Sequence, residues 1–172
     1  GTKMFGIGGR AFTRSIERDL SIEYSAAERL KLNFSSSEDH TSDKHKSVAE
    51  ALEKTCGVWV SGVELALSEY DQLDSLPHQI LLCGGGASLS KLTETLGQTK
   101  WYSTLPFTRK PKISLINPED VIGIKDLTDK VNDHTFITAM GLLRVGLDTI
   151  QQQEEVTASS SLKARFDRIL RV

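Results

Sequence analysis

The sequence predicts an α/β fold. Short apolar runs, "QILLC" at 79–83 and "KISLI" at 112–116, alternate with stretches whose apolar residues recur every three or four positions. A glycine triplet, Gly84, Gly85 and Gly86, separates the first run from a leucine-rich helical pattern.

Taken in order, Met4 to Ile7 reads as the end of a strand, broken by Gly8 and Gly9. Phe12, Ile16 and Leu20 then form one apolar stripe on a short helix. A second helix is expected to open at Ser25. Ser25 and Glu28 have the S-x-x-E spacing of a capping box, whose side chains satisfy N–H groups left open at a helix start. Residues 35–47 are polar and aperiodic, which predicts a loop or small insertion. Val48, Leu52, Cys56, Trp59, Val63, Leu67 and Tyr70 predict a long amphipathic helix over roughly 44–70, about 40 Å at 1.5 Å per residue. Gly57 and Gly62 interrupt it at roughly 1 kcal/mol each relative to alanine. Close packing against another element, or a kink, would compensate.

After Pro77, "QILLC" reads as a short, fully buried strand, and beyond the glycines Leu89, Leu92 and Leu96 share a helical face. "WYSTLPF" and "KISLI" read as further strands around the turn region from Pro106 to Pro111. Asn132 or Asp133 is expected to cap a last core helix with Phe136, Met140, Leu143 and Leu147 on one side. "QQQEEVTASSS" reads as a polar linker. In the closing "LKARFDRILRV", Leu162, Phe166, Ile169 and Leu170 share one helical face, and Lys163, Arg165, Arg168 and Arg171 outnumber Asp167.

Composition narrows the function classes. With 38% hydrophobic and 26% charged residues, the chain reads as globular and not as disordered. Its net charge of -2 and the absence of a Lys/Arg block argue against nucleic acid as a partner. No apolar run approaches the ~20 residues of a membrane span. No secretory signal opens the chain, and its abrupt start predicts a trimmed chain. Cys56 and Cys83 lie in apolar contexts and are expected to be buried structural thiols in a reducing, cytoplasmic compartment. His40, His45, His78 and His134 stand at no metal-ligand spacing to one another or to a cysteine. No Ser/His/Asp or Cys/His arrangement stands out, so neither a metal ligand nor a catalytic residue is assigned.

The glycine triplet is the feature that calls for chemistry. Between a strand and a helix, glycine lets the backbone approach a ligand, and free N–H groups at a helix start favour an anion or a polar edge. A tight turn without a ligand would also use one or two glycines. The triplet is neither a P-loop, since no Lys-Ser/Thr follows, nor G-x-G-x-x-G, since Leu89 stands where the third glycine would be.

Four stretches in order carry a resemblance. "ILLCGGGASLSKLTETL" resembles the adenosine motif of the actin-like ATPase superfamily. "GIGGRAFTRSIERDLSI" resembles the segment after that superfamily's second phosphate-binding hairpin. "SAAERLKL" resembles its Ala-Glu-x-x-Lys helix, and "TFITAMGLLRVGL" resembles the closing Ala-x-Gly-Leu helix of its bacterial members. Together they cover most of the chain to about Asp148. Within the superfamily the chain is most similar to the branch of the cell-division protein FtsA and the pilus-assembly protein PilM.

The resemblance implies an actin-like (ribonuclease H-like) domain half that binds ATP. It places Gly84, Gly85 and Gly86 at the adenine and α-phosphate side, with Ser88 at the helix start. It places Glu28 and Lys31 on the ribose hydroxyls and base edge through charge-assisted hydrogen bonds, and Gly8 and Gly9 near the cleft floor. Without a ligand, Glu28 would simply complete the capping box, or pair with Lys31 on the surface. The family's phosphate hairpins, with the aspartates that position Mg2+ and water, lie mostly in segments not found in the chain. Phosphoryl transfer needs positioned metal and charge on both sides, so little or no ATP hydrolysis is expected.

The same resemblance groups 1–33 with 76–149 as the nucleotide-facing core, 34–75 as a small, mostly helical insertion with the long helix, 150–161 as a linker and 162–172 as an amphipathic helix. Three functions follow as alternatives: an FtsA-like division scaffold, a PilM-like pilus-assembly platform, or a metabolic kinase of the superfamily. The implied partners are ATP, further copies in a filament, and a tubulin-like division protein or a pilus membrane peptide. The tail resembles the membrane-anchoring C-terminus of FtsA, with Leu162, Phe166, Ile169 and Leu170 toward lipid and the basic residues toward anionic headgroups. The alternative is a helix packed back on its own domain or a frayed end. Localisation is then cytoplasmic, peripheral at the inner face of the plasma membrane in the first case.

Overall fold

The computed structural model describes residues 1–34 and 42–169, with side chains as far as 153. The chain divides into two compact units, Gly1–Ile116 and Asn117–Val172. Among the described residues it is mixed but helix-dominated, with one small parallel sheet, compatible with an α/β class.

The first unit contains α1 (Gly9–Leu20), α2 (Tyr24–Asn33), α3 (Asp43–Ser68), β1 (Gln79–Leu82), α4 (Ser90–Gln98) and β2 (Lys112–Leu115). Short 3-10 turns occupy Gly85–Ser88 and Trp101–Thr104. α3 is its spine. Ser42 caps it, its hydroxyl accepting from the His45 amide at 3.2 Å, and Asp43 complements the dipole in the first turn. Val48, Ala51, Leu52 and Cys56 on α3 join Phe12, Ile16, Ala27, Leu89 and Leu92 in one core. Further along, Val60 joins Leu76, Leu96, Trp101 and Leu105 in a second, and Trp59 packs against both. Buried Ser15 ties α1 to the spine by donating to Ala51 O at 3.2 Å.

The two interrupting glycines of α3 differ. A Cβ on Gly62 would stand 3.0 Å from the Phe5 ring, which meets Trp59 edge-on at 5.9 Å. A Cβ on Gly57 would meet nothing within 4 Å. Close packing therefore accounts for Gly62 alone. Gly57→Ala is expected to stabilise the chain by about 1 kcal/mol through helix propensity, while Gly62→Ala gains less because Phe5 must give way. Urea denaturation of both variants checks this, and equal gains would contradict it.

β1 and β2 pair in parallel, Gln79 opposite Lys112 through Leu82 opposite Leu115. Parallel neighbours need a crossover, which α4 and the two 3-10 turns supply. Ile80, Leu82 and Ile113 pack onto the second core, but Leu81 is 51% exposed. "QILLC" is thus covered on one face only, and Cys83, expected to be buried, is exposed. Cys56 is buried, and that burial pushes its thiol pKa up.

Several sequence expectations give way here. Met4 to Ile7 is not a strand; the Ile7 amide bonds back to Phe5 O at 3.0 Å, so the segment turns on itself. "WYSTLPF" is not a strand either. Its first half is the 3-10 turn Trp101–Thr104, held because Trp101 Nε1 donates to Leu96 O at 3.0 Å and the indole is buried. The glycines lead into another 3-10 turn, so Ser88 ends that turn and α4 starts two residues later, at Ser90.

In the second unit, a 3-10 turn at Pro118–Asp120 is closed by a capping box between Asn117 and Asp120. Asp126 then organises a clasp. Its carboxylate accepts from the amides of Thr128, Lys130 and Val131 at 2.8, 2.9 and 3.0 Å and from the Thr128 hydroxyl at 2.7 Å. These bonds, the Val131 amide foremost, lower its pKa to about 2. Because that value is depressed, the contribution is complete above the ordinary 3.8 and lost as pH falls through about 2.

α5 (Ile137–Ile169) follows. Asp133 closes the turn before it, accepting from the Thr135 amide and hydroxyl, instead of capping the helix itself. Of the expected core stripe only Met140 is buried; Phe136, Leu143 and Leu147 are exposed. The preceding loop meets the helix through Arg144, whose Nη1 donates to Gly123 O at 2.7 Å. Residues 150–161, expected to be a linker, are helical. Gln, Glu and Ala are good helix formers, and a polar helix needs no apolar face to close its own hydrogen bonds. The side chains of Leu162, Phe166 and Ile169 lie outside the described set, as does all of Leu170. Among the described residues no helix is long and apolar enough to cross a membrane.

Candidate ligand pocket

A cavity of about 380 Å³ opens in the first unit, lined by Gly9, Phe12, Glu28, Lys31, Leu32, Gly85, Gly86, Ser88 and Leu89. This lies within the ~300–1,000 Å³ usual for small-molecule sites. Three stretches far apart in sequence meet there: the start of α1, the middle of α2 and the glycine turn. The shared core of Phe12, Ala27, Leu89 and Leu92 brings them together.

Gly9, Glu28, Lys31, Gly85, Gly86 and Ser88, singled out from sequence, thus line one cavity. Gly8 and Gly84 do not line it; each precedes a residue that does. The three glycines of the turn have different reasons to be glycine. Gly84 has φ 81° and ψ 168°, a backbone conformation that is essentially glycine-only. Gly85 and Gly86 have no positive φ, and a Cβ on either would meet nothing within 4 Å. Neither conformation nor packing against the described residues demands glycine at these two positions, and both line the cavity.

The polar corner is formed by Glu28 and Lys31. The expected capping box is absent: Glu23 is the N-cap of α2, no side chain caps that end, and Ser25 lies inside the helix. Glu28 instead faces α1, where Oε2 accepts from the Thr13 hydroxyl and from Lys31 Nζ, the latter at 2.9 Å. Lys31 Nζ also donates to Thr13 Oγ1 at 2.9 Å and Gly9 O at 3.2 Å. The Lys31 side chain is 13% exposed, so this is not an open surface pair. The Thr13 hydroxyl, and after it Lys31, hold the Glu28 carboxyl below its ordinary value and keep it ionised at neutral pH.

Phe12, Leu32 and Leu89 supply the apolar part of the lining. The cavity therefore offers one carboxylate, a neutralising ammonium, accessible glycine backbone and an apolar surface. That set suits a flat, partly apolar ligand carrying hydroxyl groups. Among the described residues there is no group of three or more His, Cys, Asp or Glu able to hold a metal ion.

Sequence reading missed Phe12, Leu32 and Leu89 as lining residues and Thr13 as the buried partner of Glu28 and Lys31. Thr13 had a signal: it stands three residues before Ile16 and seven before Leu20, a polar side chain on the buried side of α1. No family model, curated protein or solved structure matches the chain.

Proposed function

We propose that this pocket takes the adenosine end of ATP, and that the chain is the nucleotide-facing half of a bacterial actin-like scaffold of the FtsA kind. The observation that supports this most is the placement of Gly85 and Gly86. They are glycines that no contact with the described residues requires, on the lining of a cavity whose polar side chains are Glu28, Lys31 and Ser88. In this reading the glycine backbone meets the base and sugar, the apolar part of the lining covers the base, and Glu28 accepts from a ribose hydroxyl. Lys31 neutralises Glu28, since its three donors already have acceptors within the chain. Mg2+ and the phosphates find their ligands mainly on a partner half, so the chain binds nucleotide without appreciable turnover. Its macromolecular partner is then a tubulin-like division protein, with further copies of itself in a filament.

The test is ATP affinity of the wild type against Lys31→Glu. Reversal places two carboxylates together and opens the polar corner. Affinity is expected to fall about tenfold or more, the equivalent of one hydrogen bond to a charged group at ~1.5–3 kcal/mol. A wild type that binds no ATP, or a folded Lys31→Glu chain that binds it equally well, would remove the proposal.

A further inference from the structure

The polar corner is assembled around a side chain that reaches no solvent. Thr13 is 0% exposed and lies on α1, one turn after Gly9. Its oxygen accepts from Lys31 Nζ at 2.9 Å, and its single proton is shared between Glu28 Oε2 and Gly9 O, the latter at 3.0 Å. With Gly9 O and Glu28 Oε2, Thr13 Oγ1 completes a three-oxygen cage around the Lys31 ammonium. An ammonium has three donors and no acceptor, so the cage saturates it. Both bonds to Glu28 end on Oε2, which leaves Oε1 as the oxygen available to a ligand.

We infer that Thr13 is a positioning residue for the pocket: acting through Glu28 and Lys31, it fixes one carboxylate oxygen as the acceptor for a hydroxyl-bearing ligand. It touches no ligand itself. Without its hydroxyl, one Lys31 donor loses its acceptor and the Glu28 carboxylate loses the bond that fixes its rotation. The two side chains then exchange among other arrangements, and a ligand must select the productive one from that mixture. This inference rests on the pocket being a ligand site, as proposed above, but the order imposed on Glu28 does not depend on which ligand binds.

The experiment uses the full chain as wild type, Thr13→Val and Thr13→Ser. The Glu28 side-chain carboxyl is followed through a pH titration by carbon NMR, and ATP binding by amide shifts. Lys31 is present in all three chains, so a change in the Glu28 titration reports the hydroxyl together with the arrangement it imposes on the Glu28–Lys31 pair. Thr13→Val is expected to move the Glu28 titration to higher pH and to weaken ATP by about tenfold, the loss of one charge-assisted hydrogen bond. Thr13→Ser is expected to restore both. A Glu28 titration unchanged across the three chains would overturn the inference, as would a wild-type Glu28 titrating at the ordinary glutamate value. The second outcome needs no variant to fold. If the titration shifts and serine restores it while even the wild type ignores ATP, the positioning role stands and the ATP assignment falls.

Discussion

Trp101→Ala is expected to destabilise the chain by about 3–5 kcal/mol, the range for truncating a buried aromatic residue. Trp101 is 6% exposed and meets Tyr102 and Phe107 edge-on, at 6.0 and 5.9 Å. It sits in the second core with Val60, Leu76, Leu96 and Leu105. Alanine opens a cavity there and removes the indole donor to Leu96 O near the end of α4. Trp101→Phe keeps most of the volume and loses mainly that bond, so its cost is expected to be smaller, about 1–3 kcal/mol. Chemical denaturation provides the measurement, with Trp59 as the remaining indole reporter. Trp59 packs against both cores, so its fluorescence reports the loss of either. A Trp101→Ala midpoint close to that of the wild type would mean that the second core does not hold the sheet to α3.

The second large effect separates the glycines of the turn. Gly84→Val forces a β-branched residue to φ 81°, a strain of about 1–3 kcal/mol, and it displaces the Gly85–Ser88 turn that lines the pocket. Both stability and ATP binding are expected to fall. A Cβ at Gly86 meets none of the described residues within 4 Å and the position has no positive φ, so the stability of Gly86→Val should stay within about 0.5 kcal/mol of wild type. Its side chain nevertheless stands on the cavity wall, and ATP binding is expected to be lost. Denaturation and ligand titration on the same two samples give the four values needed. A Gly86→Val chain that keeps its full affinity would show that nothing approaches the backbone there.

These contrasts show what the sequence made legible. One-sided apolar stripes identified α1 and α3, because a helix that buries one face repeats its apolar residues at that period. The glycine triplet, Glu28 and Lys31 could be drawn together from motif order, and Gly85, Gly86, Glu28 and Lys31 are among the residues lining one cavity. Ser25 and Glu28 misled for a physical reason. The same spacing serves a capping box or a pair of unrelated contacts, and the decision lies with Thr13, fifteen residues before Glu28 in sequence. "WYSTLPF" has the aromatic and β-branched composition of a strand, but a local indole bond back to Leu96 O makes a 3-10 turn. Residues 150–161 are mostly polar and carry no apolar stripe, a pattern shared by linkers and solvated helices.

The central claim is that an adenine nucleotide enters between the glycine turn and α2. Titrating the isotope-labelled chain with ATP and following backbone amide shifts tests it most directly, since the method detects millimolar binding. The account predicts saturable shifts clustered at Gly85, Gly86, Ser88, Glu28 and Lys31. A spectrum that does not move, or that moves only at residues remote from this cavity, would contradict it.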